Sequence, residues 1–273
     1  MTEPTDLISI AQQISLFVFA YDFGRYLIAA SLVAAAVWLL RRTSWASRKI
    51  QTREATMSDF RRELFASVRT VIVYVATSIL IVWGIRNGIY TKIEGSFGVW
   101  TDLALLAAIL VAHDAYFYWA HRMMHYPRMF KSFHRFHHRT VTPTAWAAYS
   151  FAWPEAVVMA VFMPIWLFFI PTPGTVIFPF LAIMILRNCM GHAGLELHAR
   201  GWASHPILKW ISTTTHHDLH HAGSFSHNFG FYFTWWDKMM GTENPRYVET
   251  FDRVTARREL VDEPEAALDP VAA

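Results

Sequence analysis

VWTDLALLAAILVAHDAYFYWAHRMMH, residues 99–125, joins two signals in one segment. Residues 99–119 are apolar except for Asp102, His113 and Asp114. At 1.5 Å of helical rise per residue, that run is long enough to cross a hydrocarbon core of roughly 30 Å. It then delivers His121 and His125, spaced i and i+4, so that both imidazoles leave one helix face. A membrane helix ending in paired metal-binding side chains sets the terms for the rest of the chain.

Upstream lie two more apolar runs. Residues 14–40 are interrupted by Asp22 and Arg25, so that 23–40 reads as a span preceded by an interfacial piece; residues 65–85 can span unaided. Downstream, residues 152–170 and 176–186 flank Pro171-Thr172-Pro173-Gly174 and read as a tight helical hairpin, because Pro and Gly there continue neither helix. The second arm is short for a span. Composition agrees with this pattern: of 273 residues 54% are hydrophobic and 16% charged, against about 25% charged in a soluble domain. The 21 Phe, 12 Trp and 10 Tyr suit lipid and its interfaces. Disorder, a collagenous fibre and a disulfide scaffold are excluded, the last by a single cysteine, Cys189. The net charge of +3 is carried in short loops rather than on a stripe, so nucleic acid is not the partner. The expected fold is all-α: an integral membrane bundle of about four to five membrane helices including the hairpin, with a cytoplasmic histidine-rich helical cap.

Residues 41–63 hold seven basic side chains against three acids. The positive-inside rule places them in the cytoplasm and the N-terminus outside. Counting crossings then brings both histidine-rich segments to the cytoplasmic face, and residues 120–151, with five basic residues and no acid, agree. Glu3 and Asp6 stand where a secretory signal would be basic, and a short chain without targeting signals fits a bacterial inner membrane. The expected organisation is membrane helices and basic loop over 1–98, a catalytic region over 99–242, and a tail over 243–273 that is disordered from Thr250 on.

All 14 histidines fall between His113 and His227. Besides His121 and His125 there are His134, His137 and His138 in HRFHH, His192 in GHAG, and His217, His220 and His221 in HDLHH. On a helix, i, i+3 and i+4 share a face, so each pentapeptide is expected to present three imidazoles together. Neutral imidazole suits iron, copper, nickel and zinc, and nine are too many for one ion and about right for two. With no accompanying cysteine, an iron–sulfur centre or zinc finger is excluded. His113, His198 and His205 read as packing residues; His216, about 100° round the helix from His217, and His227 stay open as ligands. Asp114, seven residues before His121 inside an apolar span, is expected to orient a metal-bound imidazole; Glu155, Glu196, Asp218 and Asp237 are weaker candidates. Aromatics beside the clusters, among them Phe130, Phe225, Phe229 and Phe231, are expected to line a dry channel. Two other classes bind metal through histidine. A membrane zinc hydrolase needs three protein ligands and water, and a divalent-metal transporter or sensor places ionisable groups near the midplane.

The ordered set DAYFYWAHRMMH (114–125), HRFHH, Pro143-Thr144, Pro154-Glu155, GHAG, HDLHH, NFG (228–230) and WDKMMGT (236–242) resembles the fatty acid hydroxylase/sterol desaturase superfamily of integral-membrane oxygenases. The resemblance covers about half the chain. It implies a non-haem centre of two iron ions held by His121, His125, His134, His137, His138, His192, His217, His220 and His221. Such a centre uses O₂ and two electrons to hydroxylate or desaturate a lipid. Substrates of the superfamily include fatty acyl chains, sphingoid bases, sterols, ether lipids and carotenoids. The chain carries neither a haem segment nor a nucleotide fingerprint, so electrons are expected from a separate ferredoxin, or from a cytochrome b5-type protein with its reductase.

Overall fold

The computed structural model describes residues 5–223 and 225–262. The apolar runs form α1 (Leu7–Leu40), α2 (Met57–Arg86), α3 (Val99–Met124), α5 (Trp153–Phe169) and α6 (Gly174–Gly191). Four of these, α1, α2, α3 and α6, are long and apolar enough to cross a membrane, and α5 is a shorter apolar partner. Leu16, Phe17, Phe65, Trp100 and Phe169 stand more than 70% exposed on the outer surface, a cost in water that lipid removes. The chain is a multi-pass membrane protein. Among the described residues there is no strand, only the isolated bridges Lys49–Leu195 and Ile211–Phe233.

Two boundaries differ from the expectation. Asp22 and Arg25 do not break the first run; α1 is a continuous 34-residue helix, capped where the Asp6 carboxylate accepts from the Ser9 amide. Its rise is about 51 Å, well beyond the hydrocarbon thickness, so it tilts or projects from it. The second hairpin arm begins at Gly174 and reaches Gly191, because Pro173 sits at the N-cap, where its missing N–H costs nothing.

The basic connection after α1 folds back onto the histidine-rich segments. The Ile50 amide donates to the Gly194 carbonyl at 3.2 Å, and Arg48 Nη1 to the His198 carbonyl at 2.9 Å. The ends of α1, α3 and α6 and the start of α2 therefore share one end of the bundle. There a cap is built from α4 (Pro127–Phe133), α7 (Thr214–His221), α8 (Trp235–Met239) and α9 (Tyr247–Asp262). Helix α9 replaces the disorder expected from Thr250: Tyr247, Phe251 and Val254 are wholly buried. Residues 263–273 of that expected tail lie outside the described residues.

One loop ties membrane helices to cap. Residues 145–151 enter the bundle with Ala147, Ala148 and Tyr149 fully buried. Buried carbonyls need donors, and membrane helices supply them: Tyr26 to Trp146, Thr70 to Tyr149, Arg69 to Phe151 and Asn188 to Ala148, at 2.6–2.8 Å.

Candidate metal centre

Each predicted ligand sits at the end of an element. His121 lies in the last turn of α3 and His125 caps it. Pro127 then opens α4, which is only seven residues long, so His134 falls on its C-cap and His137 and His138 on a following 3₁₀ turn. HRFHH is thus not one helical face, contrary to the periodic reading; the run after a proline-initiated helix is too tightly turned. His192 caps α6. Helix α7 does carry His217, His220 and His221 as the spacing predicts. Its start is held by the Thr213 hydroxyl, which accepts from the His216 amide, and by Glu196, whose Oε2 accepts from the Thr215 amide at 2.7 Å.

The structure brings the nine histidines into two adjacent groups. His121, His125, His134, His138 and His220 form one, and His137, His192, His217 and His221 the other; within each group the inward nitrogens lie within 4.8 Å of one another. His138 and His221, one from each group, stack with ring centroids 4.8 Å apart. The grouping cuts across the motifs, because HRFHH sends His137 one way and His134 and His138 the other, while HDLHH sends His220 away from His217 and His221.

Hydrogen bonding decides what these groups suit. Six rings donate outward through Nδ1: His121 to the Phe229 carbonyl, His134 to the Glu155 carboxylate, His137 to Ser150, His192 to Asn188, His220 to His227 and His221 to Thr140. A neutral ring with its proton on Nδ1 has only a lone pair at Nε2. Yet His121 and His134 face each other Nε2 to Nε2 at 2.9 Å, and His137 and His192 at 3.3 Å. Two lone pairs at that distance repel unless a cation lies between. Nitrogens at right angles about an ion with bonds of about 2.1 Å are about 3.0 Å apart, so the donor set fits a bound metal. Burial first, and then neighbouring imidazoles, hold His134, His137, His138, His217, His220 and His221 well below the ordinary histidine range; burial takes His192 down to about 4. All seven are neutral near pH 7, the form that binds metal.

Asp114 does not orient an imidazole. It is buried, but its Oδ1 accepts from the Tyr232 and Phe233 amides and its Oδ2 from Trp235 Nε1. It fixes the loop after Phe229 rather than a ring, because the face it shares with His121 meets that loop first. The carboxylate that reaches a grouped imidazole is Glu155, 2.6 Å from His134 Nδ1. Asp237 closes the same loop from its other end, accepting from the Phe229 and Gly230 amides. Asp218 accepts from Gln51, and Glu196 from His198 as well as α7. His216 faces Asp237 at 3.5 Å and joins neither group; His227 contributes its carbonyl. His198 packs against Glu196 as expected, while His205 is exposed rather than packed and its Nδ1 accepts from the Ile207 and Leu208 amides. The five carbonyls that anchor rings had no sequence signal, since every residue owns one.

Gly230 shows how tightly that loop is set: a Cβ there would meet the Phe233 carbonyl oxygen, a backbone atom, well inside contact distance. Gly230→Ala is therefore expected to lower stability by about 1–3 kcal/mol, seen as a reduced melting temperature in detergent. An unchanged melting temperature would show that the loop yields.

Below the two groups a cavity of about 470 Å³ runs into the helix bundle between α1, α2, α3, α5 and α6. Its upper wall touches both groups. The Phe117 ring lies 5.2 Å from His121 and the Phe151 ring 5.4 Å from His137, and the Asn188 carbonyl that holds His192 belongs to a lining residue. At the far rim stand Phe17 and Phe178, both exposed on the outer face. Of the aromatics expected to line a channel, Phe231 lines this cavity, while Phe130, Phe225 and Phe229 pack on the imidazoles.

The comparisons with known proteins bear on this arrangement. The chain is 31% identical over 156 residues to a Delta(7)-sterol 5(6)-desaturase of Gibberella zeae, covering 56% of this chain and 46% of that protein. It is 32% identical over 152 residues to a methylsterol monooxygenase of Aspergillus fumigatus, 53% and 49% of the two chains. It is 28% identical over 200 residues to lathosterol oxidase of Homo sapiens, 70% and 64%. The chain spans about half the length of most of the curated relatives it matches. No solved structure matches it. The family model for fatty acid hydroxylases matches residues 106–242, half of the chain and the stretch that supplies every grouped histidine together with Glu155, Asp237 and the loop between Phe229 and Trp235; the chain belongs to the fatty acid hydroxylase family.

Proposed function

We propose that the protein is a membrane-bound lipid oxidoreductase that holds two iron ions, one in each histidine group, and hydroxylates or desaturates a C–H bond of a lipid. The observation that carries this reading is the pair of facing-lone-pair histidine groups set against the end of an apolar cavity open to the bilayer side. Bound iron would supply O₂ activation and the two-electron oxidation of an unactivated C–H bond, chemistry that redox-inert zinc does not offer. Everything else is the work of the chain. The outward Nδ1–H bonds fix six rings before any ligand arrives, which preorganises the site. Phe117, Phe151 and Phe231 keep bulk water from the boundary between cavity and imidazoles. The rim at Phe17 and Phe178 lets a lipid enter sideways from the membrane.

Electrons come, on this reading, from a separate ferredoxin or cytochrome b5-type protein. The histidine end is read as cytoplasmic, because the basic connection after α1 packs against it. The activities for which the relatives are named, sterol desaturation and methylsterol oxidation, support a lipid as substrate.

Purified protein reconstituted with ferrous salt is expected to hold two irons per chain by elemental analysis. Cells expressing it under ¹⁸O₂ are expected to show one lipid class altered by mass spectrometry: gain of label for hydroxylation, loss of two hydrogens without label for desaturation. Fewer than two irons, or no lipid change, would overturn the proposal; product formed under strict anaerobiosis would point to the hydrolase instead.

A further inference from the structure

The cavity wall is mostly apolar, and its charged side chains stand together at one place. Asp22 and Arg25, at i and i+3 on α1, form an ion pair of 2.7 Å whose side chains are more than nine-tenths buried and both line the cavity. Arg25 Nη1 also donates to the Leu181 carbonyl of α6 at 2.8 Å. Beside the guanidinium stands Tyr149, fully buried, and neither its hydroxyl nor Arg25 Nε has a hydrogen-bond partner within 3.5 Å among the described residues. Ionisable groups inside a membrane span are costly and persist where they do something. A brace between α1 and α6 accounts for the guanidinium and its counter-charge, but not for a neighbouring hydroxyl or for the pair facing an open chamber.

The geometry points to Asp22, Arg25 and Tyr149 as an anchor for the hydroxyl group of a neutral lipid alcohol, which enters the cavity and presents its hydrocarbon to the histidine end. The inference rests on reading this cavity as the substrate chamber. Three candidate headgroups separate on charge. A carboxylate or phosphate meets a guanidinium already neutralised by Asp22 at 2.7 Å and is repelled by that same carboxylate. A plain hydrocarbon gains nothing from the pair. A hydroxyl is donor and acceptor at once: it donates to Asp22 and accepts from Arg25 or the Tyr149 phenol. The position suits the task as well. Leu181, which fixes Arg25, precedes His192 along α6 by a helical rise of roughly 16 Å. A bound alcohol is thus held by its polar end at a fixed depth, and the anchor acts as a ruler selecting which carbon meets the centre.

The test is equilibrium binding of three radiolabelled probes, hexadecanol, hexadecanoate and hexadecane, to metal-free protein in detergent. They share a chain and differ in the end group. Hexadecanol is expected to bind on the order of tenfold more tightly than either of the others, the worth of one hydrogen bond to a charged group. The double variant Asp22→Leu/Arg25→Met replaces the pair by apolar side chains, a change buried ion pairs often tolerate without loss of stability. It is expected to bring the preference to about one. Tyr149→Phe removes only the hydroxyl and is expected to weaken hexadecanol binding alone, by a smaller factor. Hexadecanoate binding as tightly as the alcohol, no preference among the probes, or a preference that survives the double variant would each overturn the anchor. Because the probes are read without metal, such a failure leaves the iron and ¹⁸O₂ outcomes untouched, and failure of those leaves this measurement standing.

Discussion

Alanine in place of His134 is expected to leave the protein with about one iron per chain instead of two and to abolish lipid oxidation. His134 joins its group to the Glu155 carboxylate. Its Nε2 lies 2.9 Å from that of His121, and its ring centroid stands within 5.0 Å of His125 and His138 as well as His121. Removing it takes a donor from the five-membered group and strands the Glu155 carboxylate, which is buried and has no other charged partner among the bonds it makes. The loss should exceed the roughly 10–100-fold that removal of an outer hydrogen-bond partner of a metal ligand costs. His217→Ala should give the same metal count by emptying the other group, where His217 Nε2 sits 3.0 Å from His192 and 3.2 Å from His221. His205→Ala, on an exposed turn, serves as the control and should change neither quantity. Iron analysis and product formation check all three; full metal content in His134→Ala or His217→Ala would refute the two-group reading.

Glu155→Gln is expected to weaken metal binding in the five-histidine group about 10–100-fold while sparing the other group. The side chain keeps its length, and an amide oxygen still accepts from His134 Nδ1. What goes is the negative charge, which makes the ring a better donor to a cation. What arrives is an NH₂ group where Glu155 Oε2 has no partner, an added cost in a site this dry. Chelator competition on the variant should resolve one weakened and one ordinary ion. Two unaltered affinities would show that Glu155 only packs.

Much of this architecture is legible before any coordinates. The three long spans and the proline-bounded hairpin follow from apolar length alone, and the nine imidazoles that the structure gathers are those the boxes mark. What could not be read is which ring joins which group. Periodicity assigns faces on a regular helix, and HRFHH is not one: α4 ends at Phe133 and the chain tightens into a 3₁₀ turn. The role of Asp114 escapes the sequence for a related reason. Helical phase places it under His121, but the tertiary contact that decides its role comes from Tyr232, Phe233 and Trp235, more than a hundred residues away. Asp22 and Arg25 looked like an interruption of a span because hydropathy scores charges singly, and here they cancel each other three residues apart. The polar composition of α9 reads as disorder, yet three apolar side chains, Tyr247, Phe251 and Val254, on one face suffice to dock it.

The crossing of motifs between groups has a consequence for how such a centre changes over generations. His137 and His138 are chain neighbours bound to different clusters, and so are His220 and His221. Deleting one residue within the α7 pentapeptide swings everything after it by about 100° and unseats a ring from each cluster at the same stroke. A change of length in either segment therefore disturbs both halves together, whereas a point substitution touches one of them. Insertions and deletions are thus expected to be rarer in these two segments than in the connections around them, because each would strike both halves in one event.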